Sequence, residues 1–191
     1  MSKASFTDVM IDIETVGRTP GYGVIQIAAV PFNINTGEVS DNTFCMSINL
    51  KEQVDLFGLK WDKSTWAWWM KENPTLFNEL RYSKNRPVDV ASAFQAWFNA
   101  LPNSNKLRTW GNSNRFDMGI LTGFFEALLK GVPFNSFWNT WLERDVRTLS
   151  ELKPNIKKDL KFKGLKHNAI DDCKHQIEYC HLTIKALKVK L

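Results

Sequence analysis

Cysteine is scarce in this chain: Cys45, Cys173 and Cys180 are the only three in 191 residues, an odd number with no CxxC pair. That excludes a disulfide framework and a thiolate metal site, and it suits free thiols in a reducing cytosol. Long apolar runs are missing as well. No stretch approaches the ~18 residues a membrane span needs, and Met1-Ser2-Lys3-Ala4-Ser5 carries no signal-peptide core before the first strand. A membrane partner is not expected, and the expected compartment is the cytoplasm. Acids are outnumbered, 20 against 25 Lys and Arg, so the net charge of +5 leans towards a polyanionic partner. The length suits one domain over residues 1–191, and 43% hydrophobic and 24% charged residues are those of an ordinary globule. Aromatics are abundant, at 13% with eight Trp, more than most cores require. Flat side chains in surplus also suit a protein that stacks on bases.

The chain is organised around Val9-Met10-Ile11-Asp12-Ile13-Glu14-Thr15. Its first residues are apolar on both faces, as in the middle of a covered sheet. Asp12 and Glu14 then follow two positions apart, on the same side of a strand and roughly 6 to 7 Å from one another. Two carboxylates at the end of a buried strand repel each other and lose hydration, so a positive charge should sit between them. Lysines at a half-exposed strand end would meet that need. So would a hard divalent cation, for which oxygen ligands are the natural donors.

Downstream, Thr15-Val16-Gly17-Arg18-Thr19-Pro20-Gly21-Tyr22-Gly23 is a glycine-rich loop, suited to close backbone approach and equally to simple turn geometry. Residues 24–32 read as a second buried strand, 33–38 as a hairpin turn and 39–50 as a third strand. Between 62 and 80 the pattern becomes helical, with Pro74 stopping or kinking it, and a further helix begins near Val88. Trp66, Trp69 and Met70 share one helical face and read as core, whereas Trp68 lies off that stripe and is the aromatic best placed for substrate. Residues 107–111 form a short strand. Asn112-Ser113-Asn114-Arg115-Phe116-Asp117 opens a helix to Leu129, with Asn114 as N-cap and Asp117 at the capping-box position. Residues 138–142 read as a strand and Asp145 as the cap of a helix over 146–152. Residues 153–166 carry six lysines against one acid, either a solvated surface or a phosphate-binding segment.

The last helix has an apolar seam of Ile170, Cys173, Ile177, Cys180, Ile184 and Leu187. At about 100° per residue, Asp171 projects about 150° from that seam and Asp172 about 110°, so Asp172 can face a site beside the sheet. Asn168 and Asp171 together suit a capping arrangement. His175 points away from the seam towards solvent, and His181 flanks it as a packed or surface residue.

Asp12, Glu14, Asp117 and Asp172, with His167 five residues before the last, thus form a candidate constellation. Asp12-Ile13-Glu14-Thr15, Trp110-Gly111-Asn112 leading to Phe116-Asp117, and His167-Asn168-Ala169-Ile170-Asp171-Asp172 together resemble the DEDDh branch of the DnaQ-like 3′–5′ exonucleases. Length and the Trp68-Trp69 helix are most similar to the small phage and bacterial members typified by exonuclease A of the T-even phages. The resemblance implies an RNase H-like α/β fold, a mixed central sheet with helices on both faces. It implies two Mg²⁺ or Mn²⁺ ions held by Asp12, Glu14, Asp117 and Asp172, with His167 as general base, an imidazole titrating near working pH. By the same resemblance Thr15, Val16 and Gly17 hold the terminal nucleoside, and Lys163 and Lys166 within the lysine-rich stretch hold upstream phosphates, contacts that weaken with salt. The implied partner is nucleic acid with a free 3′ end, foremost single-stranded DNA; RNA is the alternative, and related small exonucleases occur as homodimers. Two other classes stay open, an endonuclease or strand-transfer enzyme on the same sheet and a non-catalytic nucleic-acid-binding module. The histidine favours the exonuclease branch, and retention of all four acids argues against a degenerate module.

Overall fold

The apolar run before Asp12 forms strand β1 (Asp8–Thr15), in which every residue but Glu14 is buried. Residues 6–130 and 134–191 are described by the computed structural model; the lead-in at residues 1–5 lies outside them. On one side β1 pairs antiparallel with β2 (Val24–Asn33), which in turn pairs with β3 (Glu38–Val39) and β4 (Phe44–Ser47). On the other it pairs parallel with β5 (Arg108–Gly111), followed by β6 (Glu143–Asp145), also parallel. The sheet is therefore mixed, ordered β3-β2-β1-β5-β6 with β4 beside β2.

Among the described residues there are eight α-helices: α1 (Leu50–Phe57), α2 (Lys63–Glu72), α3 (Pro74–Arg81), α4 (Pro87–Asn99), α5 (Asp117–Leu128), α6 (Val146–Ser150), α7 (Pro154–Asp159) and α8 (Ala169–Leu187). The pleat of β1 sorts them onto two faces. Val9, Ile11 and Ile13 pack with Phe94 and Phe98 of α4 and with Ile120, Leu121 and Phe124 of α5. Met10 faces the opposite way, towards Cys173, Ile177, Cys180 and Ile184, the predicted seam of α8. A third cluster unites Val16, Ile25, Leu50, Trp69, Leu76 and Phe77 at the end of β1. No helix among the described residues is long and apolar enough to cross a membrane.

Several local expectations change. The stretch 39–50 is not one strand: it breaks after Val39, resumes over Phe44–Ser47 and ends in α1, because the Asn49 side chain accepts the Glu52 N–H (2.8 Å) and Gly58 closes the helix in the left-handed region. Pro74 splits the next helix, with Asn73 ending α2 and capping α3. Met70 is 45% exposed rather than core, since only Trp69 of its stripe turns fully inward. The stretch 138–142 is not a strand: it ends in a 3₁₀ turn over Thr140–Leu142, and the strand begins at Glu143. Asn114 does not cap α5 through its side chain. The lysine-rich stretch contains the short helix α7, started by Pro154 at its first position.

One buried ion pair ties β1 to β5. Asp8 is fully buried and accepts hydrogen bonds from Arg108 Nε (2.6 Å) and a second Arg108 nitrogen (2.9 Å), Trp110 Nε1 (2.8 Å) and the Thr7 hydroxyl (2.6 Å). With its lone pairs so completely used, the carboxylate tolerates an apolar setting, but only while the guanidinium is present. Replacing Arg108 by Met should therefore cost about 3–5 kcal/mol in urea unfolding; a loss comparable with a surface substitution would contradict this account.

Candidate active site

Asp12 and Glu14 occupy the α8 face of β1, one beyond the other after Met10, so the pleat delivers both carboxylates to the carboxyl end of the strand. Helix α8 is seated opposite by β2: the Gln26 side-chain oxygen accepts the N–H of Ala169 (3.0 Å), the first residue of the helix, and Cys173 Sγ rests against the carbonyls of Met10 (3.7 Å) and Ala28 (3.9 Å). That seating brings Asp172, in the first turn, over the strand end. Carboxylate oxygens of Asp12, Glu14 and Asp172 all lie within 4.8 Å of one another. Asp117 arrives from the other direction, at the start of α5 just beyond β5. Its carboxylate accepts the Ser113 N–H (3.0 Å), and Gly111 leaves the room it needs, since a Cβ there would stand 3.1 Å from Asp117.

This crowding dominates the electrostatics. Burial first, then the charges of Asp117 and Asp172, push the Asp12 carboxyl well above its usual range, opposed by a hydrogen bond from Gln176. Burial, then Asp12, Asp172 and Asp117, do the same to Glu14. Burial pushes Asp117 up to about 7 against the Ser113 hydrogen bond and the charge of Arg147. Asp172 is raised by its burial, with His167 pulling the other way. None of the ion pairs formed among the described residues involves these acids. The lysine pairing that a strand end could have offered is thus not used. An all-oxygen donor set, partly buried and in no salt bridge among the described residues, fits hard divalent cations.

The four acids and His167 line one open cavity of about 630 Å³ with Thr15, Gly17, Trp68, Trp69, Arg18, Arg147 and Gln176. His167 holds a left-handed backbone (φ 65°) in the turn before α8, and its ring meets the edge of Trp68 at 4.8 Å. Trp68 is 41% exposed, off the buried stripe as its spacing predicts. Trp69 instead donates from Nε1 to the Thr15 carbonyl (2.9 Å) and stacks on Phe77, anchoring α2 to the end of β1. The loop after Thr15 is held by main-chain bonds from Val16 to Gly23 and from Asp62 to Val16. Val16 itself is buried behind the cavity wall, and the Thr15 hydroxyl donates to the Gly17 carbonyl (2.6 Å). Gly17 permits the closest approach: an added Cβ would fall 2.1 Å from the Tyr22 ring. Lys163 lies outside the cavity, paired with Glu178 (3.0 Å), and Lys166 is exposed on the approach to His167.

Three residues in this wall escaped the sequence reading. Gln176 is buried, follows Asp172 by one helical turn and donates from Nε2 to Asp12 Oδ1 (2.7 Å); its i+4 relation to Asp172 was the available signal. Arg147 lies outside any motif, and Arg18, though within the glycine-rich loop, is not singled out by its own spacing. Asp171 does not cap Asn168; its carboxylate accepts the Leu165 N–H (2.9 Å) and sits against Gly164, shaping the turn that carries His167. His175 is half-buried, its ring 4.9 Å from that of Phe162 and 5.4 Å from that of Tyr179, where the sequence suggests a solvated residue. His181 is packed, with Nδ1 2.9 Å from the Ile34 carbonyl. Asp145 caps α6 as expected, accepting the Thr148 N–H (2.8 Å), and its second oxygen accepts the Asn114 N–H (3.0 Å).

A mixed sheet flanked by helices, with acids from β1, α5 and α8 meeting beside a histidine, defines the DEDDh class of 3′–5′ exonucleases on an RNase H-like fold. The model of the family described as "3'-5' exoribonuclease Rv2179c-like domain" matches residues 7–184, and the chain belongs to that family. It is 28% identical over 163 residues to the exodeoxyribonuclease of Enterobacteria phage T4, covering 75% of this chain and 70% of the relative. Among solved structures, the nuclease domain of 3'hExo, a DEDDh family member bound to rAMP, is similar with a TM-score of 0.58 at 16% identity, covering 96% of this chain and 95% of that one. Pop2p of S. pombe, in its Mg²⁺- and Mn²⁺-bound form, is similar with a TM-score of 0.62 at 11% identity, covering 94% and 83%. The cell-death related nuclease CRN-4 matches with a TM-score of 0.57 at 15% identity; 93% of this chain is covered, but it spans only 63% of that nuclease. These structural likenesses bear on the fold alone. Neither the fold nor the relatives add support for a homodimer.

Because the folded site raises the pKa of its acids, the native metal-free protein holds protons that the unfolded chain has released. The resulting stability is present below the ordinary carboxylate range, near pH 4, and is lost as pH rises through about 7, the value for Asp117. In EDTA, Asp12→Asn should therefore melt several degrees above the wild type near neutral pH, and the gap should vanish near pH 4. Equal melting temperatures at both pH values would show that the acids are not in electrostatic conflict.

Proposed function

We propose that this chain is a two-metal 3′–5′ exonuclease that releases nucleoside 5′-monophosphates, with single-stranded DNA as its preferred polymer. The observation carrying this reading is the convergence of Asp12, Glu14, Asp117, Asp172 and His167 on one cavity. Asp12, Glu14, Asp117 and Asp172 would hold two Mg²⁺ or Mn²⁺ ions, which when bound neutralise the scissile phosphate and stabilise its attacking and leaving oxygens. His167, at the cavity wall beside Asp172, takes the proton from the attacking water as the phosphorus–oxygen bond to the 3′ oxygen breaks. The edge contact with Trp68 limits the swing of the imidazole, and the exposed Trp68 face is free to stack on a terminal base. Thr15 and Gly17 present main-chain groups to the terminal nucleoside, with Val16 acting from behind by fixing the loop. Arg18 and Arg147 are cations at this acidic centre and, with the exposed Lys166 beside His167, suit the phosphates of the strand, whereas Lys163, paired with Glu178 outside the cavity, could meet only phosphates further upstream.

DNA is favoured by the phage T4 relative, an exodeoxyribonuclease at 28% identity. RNA is the second reading, favoured by the description of the family, which names an exoribonuclease. Matched 3′- and 5′-labelled single strands of DNA and RNA, digested with Mg²⁺, Mn²⁺ or EDTA, separate them. Single nucleotides should leave the 3′ end only with metal, and faster from DNA. Faster release from RNA would transfer the assignment, and cleavage undiminished in Asp12→Ala would remove the proposed site altogether.

Two variants probe the walls. Asp172→Ala should abolish nucleotide release while the protein stays folded by circular dichroism; retained activity would overturn its place in the site. Trp68→Ala should raise KM for single strands by about ten- to a hundredfold, on the scale of one lost base–aromatic stack. An unchanged KM would leave Trp68 without a substrate contact.

A further inference from the structure

Gln176 stands in a setting that stability alone does not explain. Its side chain is 96% removed from solvent, the residue being 4% exposed, yet its Oε1 is a buried oxygen with no hydrogen-bond partner. The same amide donates from Nε2 to Asp12 Oδ1 at 2.7 Å, and the residue lines the acidic cavity. Turning the amide over would set its oxygen against the carboxylate, so Asp12 dictates the orientation and leaves Oε1 unsatisfied. A buried amide with half of its capacity idle is a liability in a helix whose neighbouring inward positions, Cys173, Ile177 and Cys180, are apolar. Methionine or leucine would pack there without that loss.

Position explains the exception. Asp12 is a buried acid of the cluster, and a carboxylate with two free rotamers would surrender conformational entropy on binding a cation. A neutral donor locks one oxygen without supplying a positive charge that would compete with the cation, as Lys or Arg would. The donor sits one turn along α8 from Asp172, so the helix that supplies one acid also aims another across the cavity. We infer that Gln176 is a positioning residue for the metal site, holding the Asp12 carboxylate in its cation-binding rotamer. This rests on the metal-site reading of the four acids, and its test must fail separately from that reading.

Mg²⁺ and Mn²⁺ binding is measured by titration calorimetry on the wild type, Asp12→Ala and Gln176→Met, with nucleotide release measured alongside at saturating metal. Binding to the wild type that Asp12→Ala abolishes supports the site itself. Its absence from the wild type would overturn the site, and the role of Gln176 with it. Given that binding, Gln176→Met should weaken cation affinity by about ten- to a hundredfold, the usual scale for a residue behind a metal ligand. It should lower kcat while leaving KM for the oligonucleotide within a factor of about two. Unchanged cation affinity in a folded Gln176→Met would overturn the proposal and return Gln176 to a packing role. Should that variant not fold, Gln176→Asn, which keeps the amide but cannot span the distance, is read by the same criteria.

Discussion

Four carboxylates brought together where water is scarce are the constraint on which the rest of this structure depends. Each acid is held by an element whose placement is decided elsewhere: Asp12 and Glu14 by the central strand, Asp117 by the start of α5, Asp172 by the first turn of α8. Both apolar faces of β1 are filled by helices, so the strand cannot twist its end away to relieve the repulsion. The fold thus holds the acids together against their own field. The cluster is thus preorganised, its cost of assembly met by hydrophobic packing some distance from the charges.

Much of this was legible from pattern. The strand that ends in Asp12 and Glu14 is apolar on both faces because both faces are covered, and the spacing of Cys173, Ile177, Cys180 and Ile184 fixed which way α8 faces and so which of two adjacent aspartates looks inward. These are periodic signals, and period survives folding. The failures share a different cause. Helix α1 was hidden because Asn49, a capping residue, follows a strand without the glycine or proline that usually marks a boundary. Met70 shares its helical phase with Trp69, but the helix is only shallowly embedded, so phase alone overstated the buried arc. Arg147 and Arg18 enter the site through tertiary placement, which no local spacing encodes, whereas Gln176 is marked only by its place one helical turn beyond Asp172.

Asp171 and Asp172 show how finely adjacent residues divide their work. One turns to the cavity; the other ties down the Gly164-Leu165 turn that precedes the histidine. An acid dismissed as an ordinary cap is therefore structural in a more specific sense, since it shapes the approach to His167. Asp145 behaves similarly, capping α6 with one oxygen and steadying the segment before Asp117 with the other; hydrogen bonds from Thr148 and Asn114 outweigh its partial burial and hold its carboxyl below the usual range.

His167 differs from the acids in what carries it. They stand on a strand or in the first turns of helices seated against the sheet, whereas the imidazole hangs from a turn in a left-handed conformation, braced by Trp68. Support is consequently uneven across the cavity, from sheet and seated helices beneath the carboxylates and from a single turn beneath the imidazole. A change in the length or composition of the 153–166 connection therefore reaches the imidazole before it reaches the carboxylates. The fold in this sense has a chassis and an adjustable arm, and diversification among such enzymes has an inexpensive place to begin.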